Sequence, residues 1–148
     1  MIYQWKTGAH IKTSAEIAGK MCAELSENGG LTAKRLLDAN RPEDAPLHGE
    51  FEWNDGVAAE RYRETQARHI INCICIKVED REPVRQYYNI SIADAEYKPI
   101  HVILQNKGDT DALCSTVLRE LVAIKKKYRQ IKEFASVWEA IEVLEVAR

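Results

Sequence analysis

The sequence of 148 residues predicts an α+β fold with a three-helix N-terminal region (1–71), a three-stranded antiparallel meander (72–106) and a C-terminal helical pair (108–148). Three observations predict this fold. Helix caps and glycine or proline stops mark the first part, polar and apolar residues alternate in the second, and apolar residues recur every three or four positions in the third. A chain of this length fits a single domain.

The first helix is predicted from a capping box, Thr13-x-x-Glu16, in which each side chain satisfies a free backbone N–H of the first turn. Asn28, Gly29 and Gly30 predict its end, because glycine accepts the left-handed conformation that closes a helix. The apolar residues at helical spacing predict an inward face of Ile17, Met21, Cys22 and Leu25.

The second helix is predicted to begin after Thr32 as its cap and to end before Pro42, because the residue preceding a proline avoids helical geometry. Its inward residues are expected to be Ala33, Leu36 and Leu37. The loop that follows carries Leu47, Phe51 and Trp53, which are large and apolar, so we expect them to pack against the helices on either side.

The third helix is predicted to begin at a cap formed by Asn54 or Asp55. Helical spacing predicts that one stripe carries Ala58, Tyr62, Gln66, His69 and Ile70.

Alternation then predicts three strands, beginning at Ile74, Val84 and Ile100, with a turn at Pro83. After Gly108 and Asp109 the helical period returns, with a break expected near Arg129. The spacing allows either a helical hairpin or one long helix whose apolar seam needs a partner. The residues that carry this pattern are Leu113, Val117, Leu121, Ile124, Tyr128, Ile131, Phe134, Trp138 and Ile141.

Composition favours a cytoplasmic globular protein. The chain is 45% hydrophobic and 30% charged, and it has neither a run of about 20 apolar residues nor the apolar core of a secretory signal. Its four cysteines show no metal-binding spacing, so we expect reduced, buried thiols without disulfides. No serine elbow or glycine-rich phosphate loop is present, and we expect no catalytic residues, no bound metal and no cofactor.

Charge is segregated along the chain although the net charge is only −2. Acidic residues dominate from Asp38 to Glu64, and basic residues dominate from Arg119 to Lys132. A basic stretch of this kind neutralises phosphates or forms a solvated helix face. The candidate nucleic-acid contacts in this stretch are Arg119, Lys125, Lys126, Lys127, Arg129 and Lys132.

A second candidate for nucleic-acid contact is the pair of opening helices, whose size and four-residue connection fit a helix-turn-helix. In that arrangement Lys34 and Arg35, with Asn40 and Arg41, would point outward to a groove. The alternative is two packed helices of an ordinary core, because the neighbouring acidic loop repels phosphate.

The loop between the second and third helices is the candidate surface for a protein partner. It combines carboxylates with two aromatic side chains, the composition of an interface anchor. The residues that would contact a partner are Asp44, Glu50, Phe51, Glu52 and Trp53.

Several segments resemble small proteins encoded by temperate phages, prophages and related bacterial mobile elements. The resembling residues are Leu31-Thr32, Ala45-Pro46-Leu47-His48, Phe51-Glu52-Trp53, Ala58-Ala59, Tyr62-Arg63, Gln66-Ala67-Arg68, Leu118-Arg119-Glu120-Leu121, Lys127-Tyr128 and Phe134-Ala135. The resemblance implies a small non-enzymatic protein that binds DNA, remodels replication or transcription, or blocks host defences. It brings no catalytic residue to this chain.

Two functional hypotheses follow. The first is an accessory protein, not an enzyme, that binds DNA, RNA or a nucleoprotein complex. The alternative is a factor that binds a host or phage protein, for example a host-takeover factor or an anti-CRISPR-like inhibitor of host defence. A homodimer through the C-terminal helices is a further expectation, and no membrane association is expected.

Overall fold

The computed structural model describes residues 2–54, 57–77, 81–90 and 95–147. The chain separates into two compact units, Met1–Val102 and Ile103–Arg148. Antiparallel sheets and helices together form the structure, so the predicted α+β class is confirmed.

The N-terminal unit alternates helices with short strands. Its helices are α1 (Ala15–Glu27), α2 (Ala33–Ala39) and α3 (Val57–Cys73), with a 3-10 turn at His48–Glu50. Helix α4 (Ile100–Gln105) follows the last strand directly and begins in this unit, whose last residue is Val102. The strands are β1 (Ile2–Trp5), β2 (Leu31–Thr32), β3 (Ile74–Lys77), β4 (Val84–Arg85), β5 (Tyr87–Asn89) and β6 (Glu96–Pro99).

The described strands form two antiparallel sheets, so the predicted meander is matched only in part: β3 pairs with β4 and β5 pairs with β6, but the two pairs belong to different sheets. One sheet has the order β1-β3-β4, in which Tyr3 lies opposite Ile76. The other has the order β2-β6-β5, in which Leu31 lies opposite Tyr97. Two strands that the alternation pattern missed, β1 and β2, therefore pair with strands far away in the sequence.

The third predicted strand is a helix. Residues 100–105 form α4, in which Ile103 is buried while His101, Val102 and Leu104 are exposed. A short apolar run suits a helix or a strand equally well from its sequence. Here the backbone turns helical immediately after Pro99 pairs with Tyr87.

Helix α1 begins one residue later than predicted. Ser14, not Thr13, is its cap, and the Ser14 hydroxyl accepts a hydrogen bond from the backbone N–H of Ile17. Ile17, expected on the inward face, is exposed. The buried residues of the helix are Ala15, Ala18, Gly19 and Cys22.

Helix α2 follows the prediction. The Thr32 hydroxyl accepts a hydrogen bond from the Arg35 backbone N–H at 3.0 Å, and Ala33, Leu36 and Leu37 are buried. The predicted loop contacts are also confirmed, because Leu47 and Phe51 are buried in the core and Trp53 packs against it.

Helix α3 presents a different face from the one predicted. Its buried residues within 61–73 are Arg63, Ala67, Ile70, Ile71 and Cys73, whereas Tyr62 and His69 are exposed. Because the charged Arg63 occupies a buried position, apolar spacing alone did not identify the buried face of α3. The predicted cap residue Asp55 and the side chain of Ala58 lie outside the described residues.

The C-terminal unit is a helical hairpin, so the alternative of one long helix is wrong. Helix α5 (Lys107–Tyr128) and helix α6 (Ala135–Val146) are joined through a 3-10 turn at Lys132–Phe134. The Asn106 side chain caps α5 by accepting a hydrogen bond from the Asp109 backbone N–H. None of the helices in the described part of the chain has the length and apolarity to cross a membrane.

Cys22, Cys73 and Cys75 are buried, as expected, whereas Cys114 is only half-buried; all four are free thiols in the structure. Burial raises the pKa of Cys22 to about 12. Cys73 is the last residue of α3, so it does not share a strand face with Cys75.

Candidate functional site

The candidate site with the most free positive charge lies on α5. Arg119 and Lys126 are seven residues apart, two helical turns, so they project from the same side of the helix. Both side chains are exposed. The Arg119 guanidinium donates to the Thr116 hydroxyl at 3.0 Å, and neither residue has an ion pair among the described residues.

Arg119 and Lys126 line one groove of about 480 Å³ between the two helices of the hairpin. The Ser115 hydroxyl is at one end, and Leu118, Val122 and Ala123 form its apolar surface. Glu145 of α6 contributes one carboxylate to the rim. Sequence reasoning singled out neither Ser115 nor Glu145, because their positions depend on how the hairpin closes.

Lys125 is not free. Its ammonium lies 3.1 Å from Glu142 and 2.9 Å from Glu145, and only 18% of its side chain is exposed. The hydrogen bond to Glu145 and, to a smaller extent, the one to Glu142 raise the pKa of Lys125. Its contacts join α5 to α6, so this predicted nucleic-acid contact has a structural role in the hairpin.

The remaining basic residues of this stretch are exposed and lie at the end of α5 and in the turn after it. Lys127 lies with its ammonium 5.0 Å from the centre of the Tyr128 ring. Arg129 and Lys132 form no ion pair within the part of the chain that the structure describes. Positive charge at a helix C-terminus also interacts favourably with the helix dipole, so these residues stabilise α5 as well.

The residues expected to contact DNA in the helix-turn-helix arrangement form hydrogen bonds and ion pairs within the protein instead. The Arg35 guanidinium donates to the backbone carbonyls of Leu25, Asn28 and Gly30, which closes the C-terminal end of α1. Lys34 pairs with Asp38 at 2.8 Å.

Asn40, expected to point outward, is fully buried. Its side chain donates to the Leu36 carbonyl at 2.7 Å and accepts from the Leu47 backbone N–H at 2.9 Å. The expectation of an outward Asn40 is wrong because a buried loop needed its hydrogen bonds. Arg41 is exposed, but it pairs with Asp38 and Glu60.

The acidic aromatic loop is also built into the fold. The Glu50 carboxylate accepts hydrogen bonds from the backbone N–H groups of Lys12 and Thr13 and from the Thr13 hydroxyl, so it joins the loop to the entry of α1. Glu52 accepts a hydrogen bond from the Asn54 backbone N–H at 3.0 Å. Asp44 is exposed.

Trp53 is held on three sides. Its ring stacks on His48 with centroids 4.6 Å apart, and the Arg63 guanidinium carbon lies 5.0 Å from its centre. Its Nε1–H donates to the His48 carbonyl at 2.9 Å. Phe51 lies beside it, with ring centroids 5.8 Å apart. The two aromatic side chains proposed as partner anchors therefore pack within the molecule.

A second concave region, of about 460 Å³, lies in the N-terminal unit and is lined in part by Tyr3, Glu27, Tyr87 and Lys98. Tyr87 is fully buried, and burial raises its pKa. No local pattern in the sequence predicts this cavity, since its walls come from β1, α1, β5, β6 and the start of α4. Within the described residues, no group of three metal-binding side chains comes together.

Comparison with known proteins gives no relative from which a function could be transferred: no protein family model, no curated protein and no solved structure matches the chain. The resemblance to proteins of phages and mobile elements therefore stays a prediction.

Proposed function

We propose that this is a non-enzymatic accessory protein, of the kind that phages and prophages encode, and that it binds nucleic acid or a nucleoprotein complex through α5. The single observation that supports it is the placement of Arg119 and Lys126 along one groove, both exposed and neither neutralised by a carboxylate of the described residues. Two cations about 10 Å apart along a helix can each neutralise a phosphate of a bound nucleic acid.

The other basic residues extend this surface toward the end of the helix. Lys127, Arg129 and Lys132 are exposed and add positive charge at the C-terminal end of α5 and in the turn after it. Binding of this type depends on phosphates and not on bases, so it is strongly salt-dependent and has little sequence preference. The amide and guanidinium groups that would read bases in the opening helices are engaged in the fold.

The alternative function, a factor that binds a host or phage protein through the acidic loop, has less support. Phe51 is buried and Trp53 stacks on His48, so neither ring is available as an anchor without rearrangement of the loop. Asp44 keeps an exposed carboxylate, but a single exposed charge contributes little binding energy.

The experiment is a fluorescence anisotropy titration of labelled single- and double-stranded DNA and RNA at low salt. The test variant is Arg119→Glu with Lys126→Glu. Its matched control is Lys12→Glu with Lys77→Glu, which makes the same change in net charge at two exposed lysines of the N-terminal unit.

We expect the test variant to lose binding and the control variant to keep it. Removing two phosphate contacts should also reduce the slope of log affinity against log salt by about 2. Failure of the unmodified protein to bind any of the four probes at tens of micromolar, or equal losses in both variants, would contradict the proposal.

A further inference from the structure

Helix α5 lacks the burial that a helix of its length needs. None of its 22 residues is buried, and in α6 the buried residue is Ile141. Most of the stability of a protein helix comes from packing an apolar face against other structure. The contact between α5 and α6 therefore leaves an apolar face of the hairpin without a partner.

That face is an apolar seam formed by Val117, Leu121, Ile124 and Tyr128. The residues follow one another at intervals of four, three and four, the spacing at which one helix packs along another in a coiled coil. Val117, Ile124 and Tyr128 are 46%, 47% and 42% exposed. This is unusual for residues of this size at such regular positions.

A groove beside the seam shows the same character. It has a volume of about 270 Å³ and is lined by Leu113, Cys114, Val117, Leu118, Leu121 and Leu144. No charged side chain lines it. Contiguous apolar surface of this kind on a folded protein marks an interaction site.

The charges that flank the seam indicate what covers it. On one edge of the seam, the Lys125 ammonium forms ion pairs with Glu142 and Glu145 of α6. On the other edge, Glu120 and Lys127 are seven residues apart, so they lie on one line along the helix. Both are exposed, and neither has an ion pair among the described residues.

We propose that a second copy of this chain covers the seam, with the two α5 helices antiparallel across a two-fold axis. In this register Val117 of one copy faces Tyr128 of the other, and Leu121 faces Ile124. Glu120 then faces Lys127 of the other copy, and the symmetry forms this ion pair twice. The two hairpins together make a four-helix bundle.

The charge pattern selects a second copy over an unrelated partner. A two-fold interface requires a surface that complements itself, in which each residue contacts the residue that contacts it in return. One acid and one base placed symmetrically about the centre of an apolar seam meet this requirement. Arg119 and Lys126 lie on the opposite side of α5, so the dimer leaves the groove that they line free, while Lys127 takes part in the interface.

The test is the mass of the full chain in solution, measured by sedimentation equilibrium over a range of concentrations. We expect a dimer. Glu120→Lys and Lys127→Glu should each raise the dimer dissociation constant about tenfold, because each change places like charges opposite each other twice. The double variant should recover most of the unmodified affinity, since it restores both ion pairs in reverse.

The matched control is Arg119→Glu, which changes the charge of α5 away from the seam and should leave the dimer intact. Ile124→Glu should give a monomer, and circular dichroism will show whether its helices remain. A monomeric unmodified protein at high concentration would overturn the proposal, as would a double charge reversal that dissociates as easily as the single ones. These outcomes can be distinguished from those of the nucleic-acid titration, because the seam variants Glu120→Lys, Lys127→Glu and Ile124→Glu leave Arg119 and Lys126 unchanged.

Discussion

The side-chain carbonyl of Asn40 accepts a hydrogen bond from the backbone N–H of Leu47 at 2.9 Å, inside the core. The same amide donates to the Leu36 carbonyl at 2.7 Å. One fully buried polar residue thus holds the end of α2 to the start of the turn that carries the aromatic loop.

Asn40→Ala should destabilise the protein by about 2–4 kcal/mol, because it leaves a buried N–H and a buried carbonyl without partners. The measurement is urea denaturation followed by circular dichroism. Gln130→Ala, at an exposed amide side chain in the turn after α5, is the control and should change the free energy of unfolding little. Equal stability of the Asn40 and Gln130 variants would mean that water satisfies the two backbone groups.

Trp53→Ala should cost about 3 kcal/mol, since the ring packs on His48 and beneath Arg63. Trp53→Phe keeps an aromatic ring but loses the hydrogen bond to the His48 carbonyl, so about 1 kcal/mol should be lost. Thermal melts of both variants give the comparison. If Trp53→Ala melts like the unmodified protein, the ring does not hold the loop and is available as a partner anchor.

Gly19→Ala should destabilise the N-terminal unit although alanine is the better helix former. A Cβ at position 19 would lie 2.2 Å from Cγ of Tyr3, at the rigid base of that side chain, so β1 would have to move. We expect a loss of about 2 kcal/mol in the free energy of unfolding. Gly49→Ala is the matched control, because a Cβ there meets no atom within 4 Å. A Gly19 variant more stable than the unmodified protein would contradict the close packing of β1 on α1.

We expect the free energy of unfolding to decrease at acidic pH as Asp38 and Glu60 become protonated. Hydrogen bonds from Lys34 and then Arg41 lower the pKa of Asp38, and a hydrogen bond from Arg41 lowers the pKa of Glu60. A carboxylate with a lowered pKa stabilises the folded state above its unfolded pKa of about 4, and this contribution is lost as the pH falls through the folded value.

Arg41→Gln should therefore flatten part of the decline in melting temperature between about pH 5 and pH 2. Both carboxylates are well exposed, so the effect should be small. The control is Arg61→Gln, an exposed arginine of the neighbouring helix α3. Identical pH profiles for the two variants would show that these ion pairs do not contribute to acid stability.

Predictions from local sequence were correct where residues close in the sequence decide the structure. Thr32 caps α2 and the glycines after Asn28 end α1, because both effects act within one helical turn. Predictions were wrong where residues distant in the sequence decide the structure. Thr13 was expected to cap α1, but its hydroxyl donates to Glu50, so Ser14 takes that position.

The candidate site was predicted only as a set of charged residues. The eight basic candidate positions separate into those that the fold uses, such as Arg35 and Lys125, and those that stay exposed, such as Lys126. Spacing along a helix shows which residues share a side. It does not show which carbonyl or carboxylate another element brings to them.

By itself, the sequence determined the mixed class of the fold, the C-terminal ends of the first two helices, the cap of the second and the concentration of positive charge after Arg119. Only the tertiary structure decided that residues 100–105 are helical, that β1 pairs with β3, and that Asn40 lies inside. The physical reason is that caps, glycines and charges act over one or two turns of backbone. Strand pairing and the burial of a polar group depend instead on hydrogen-bond partners supplied from elsewhere in the chain.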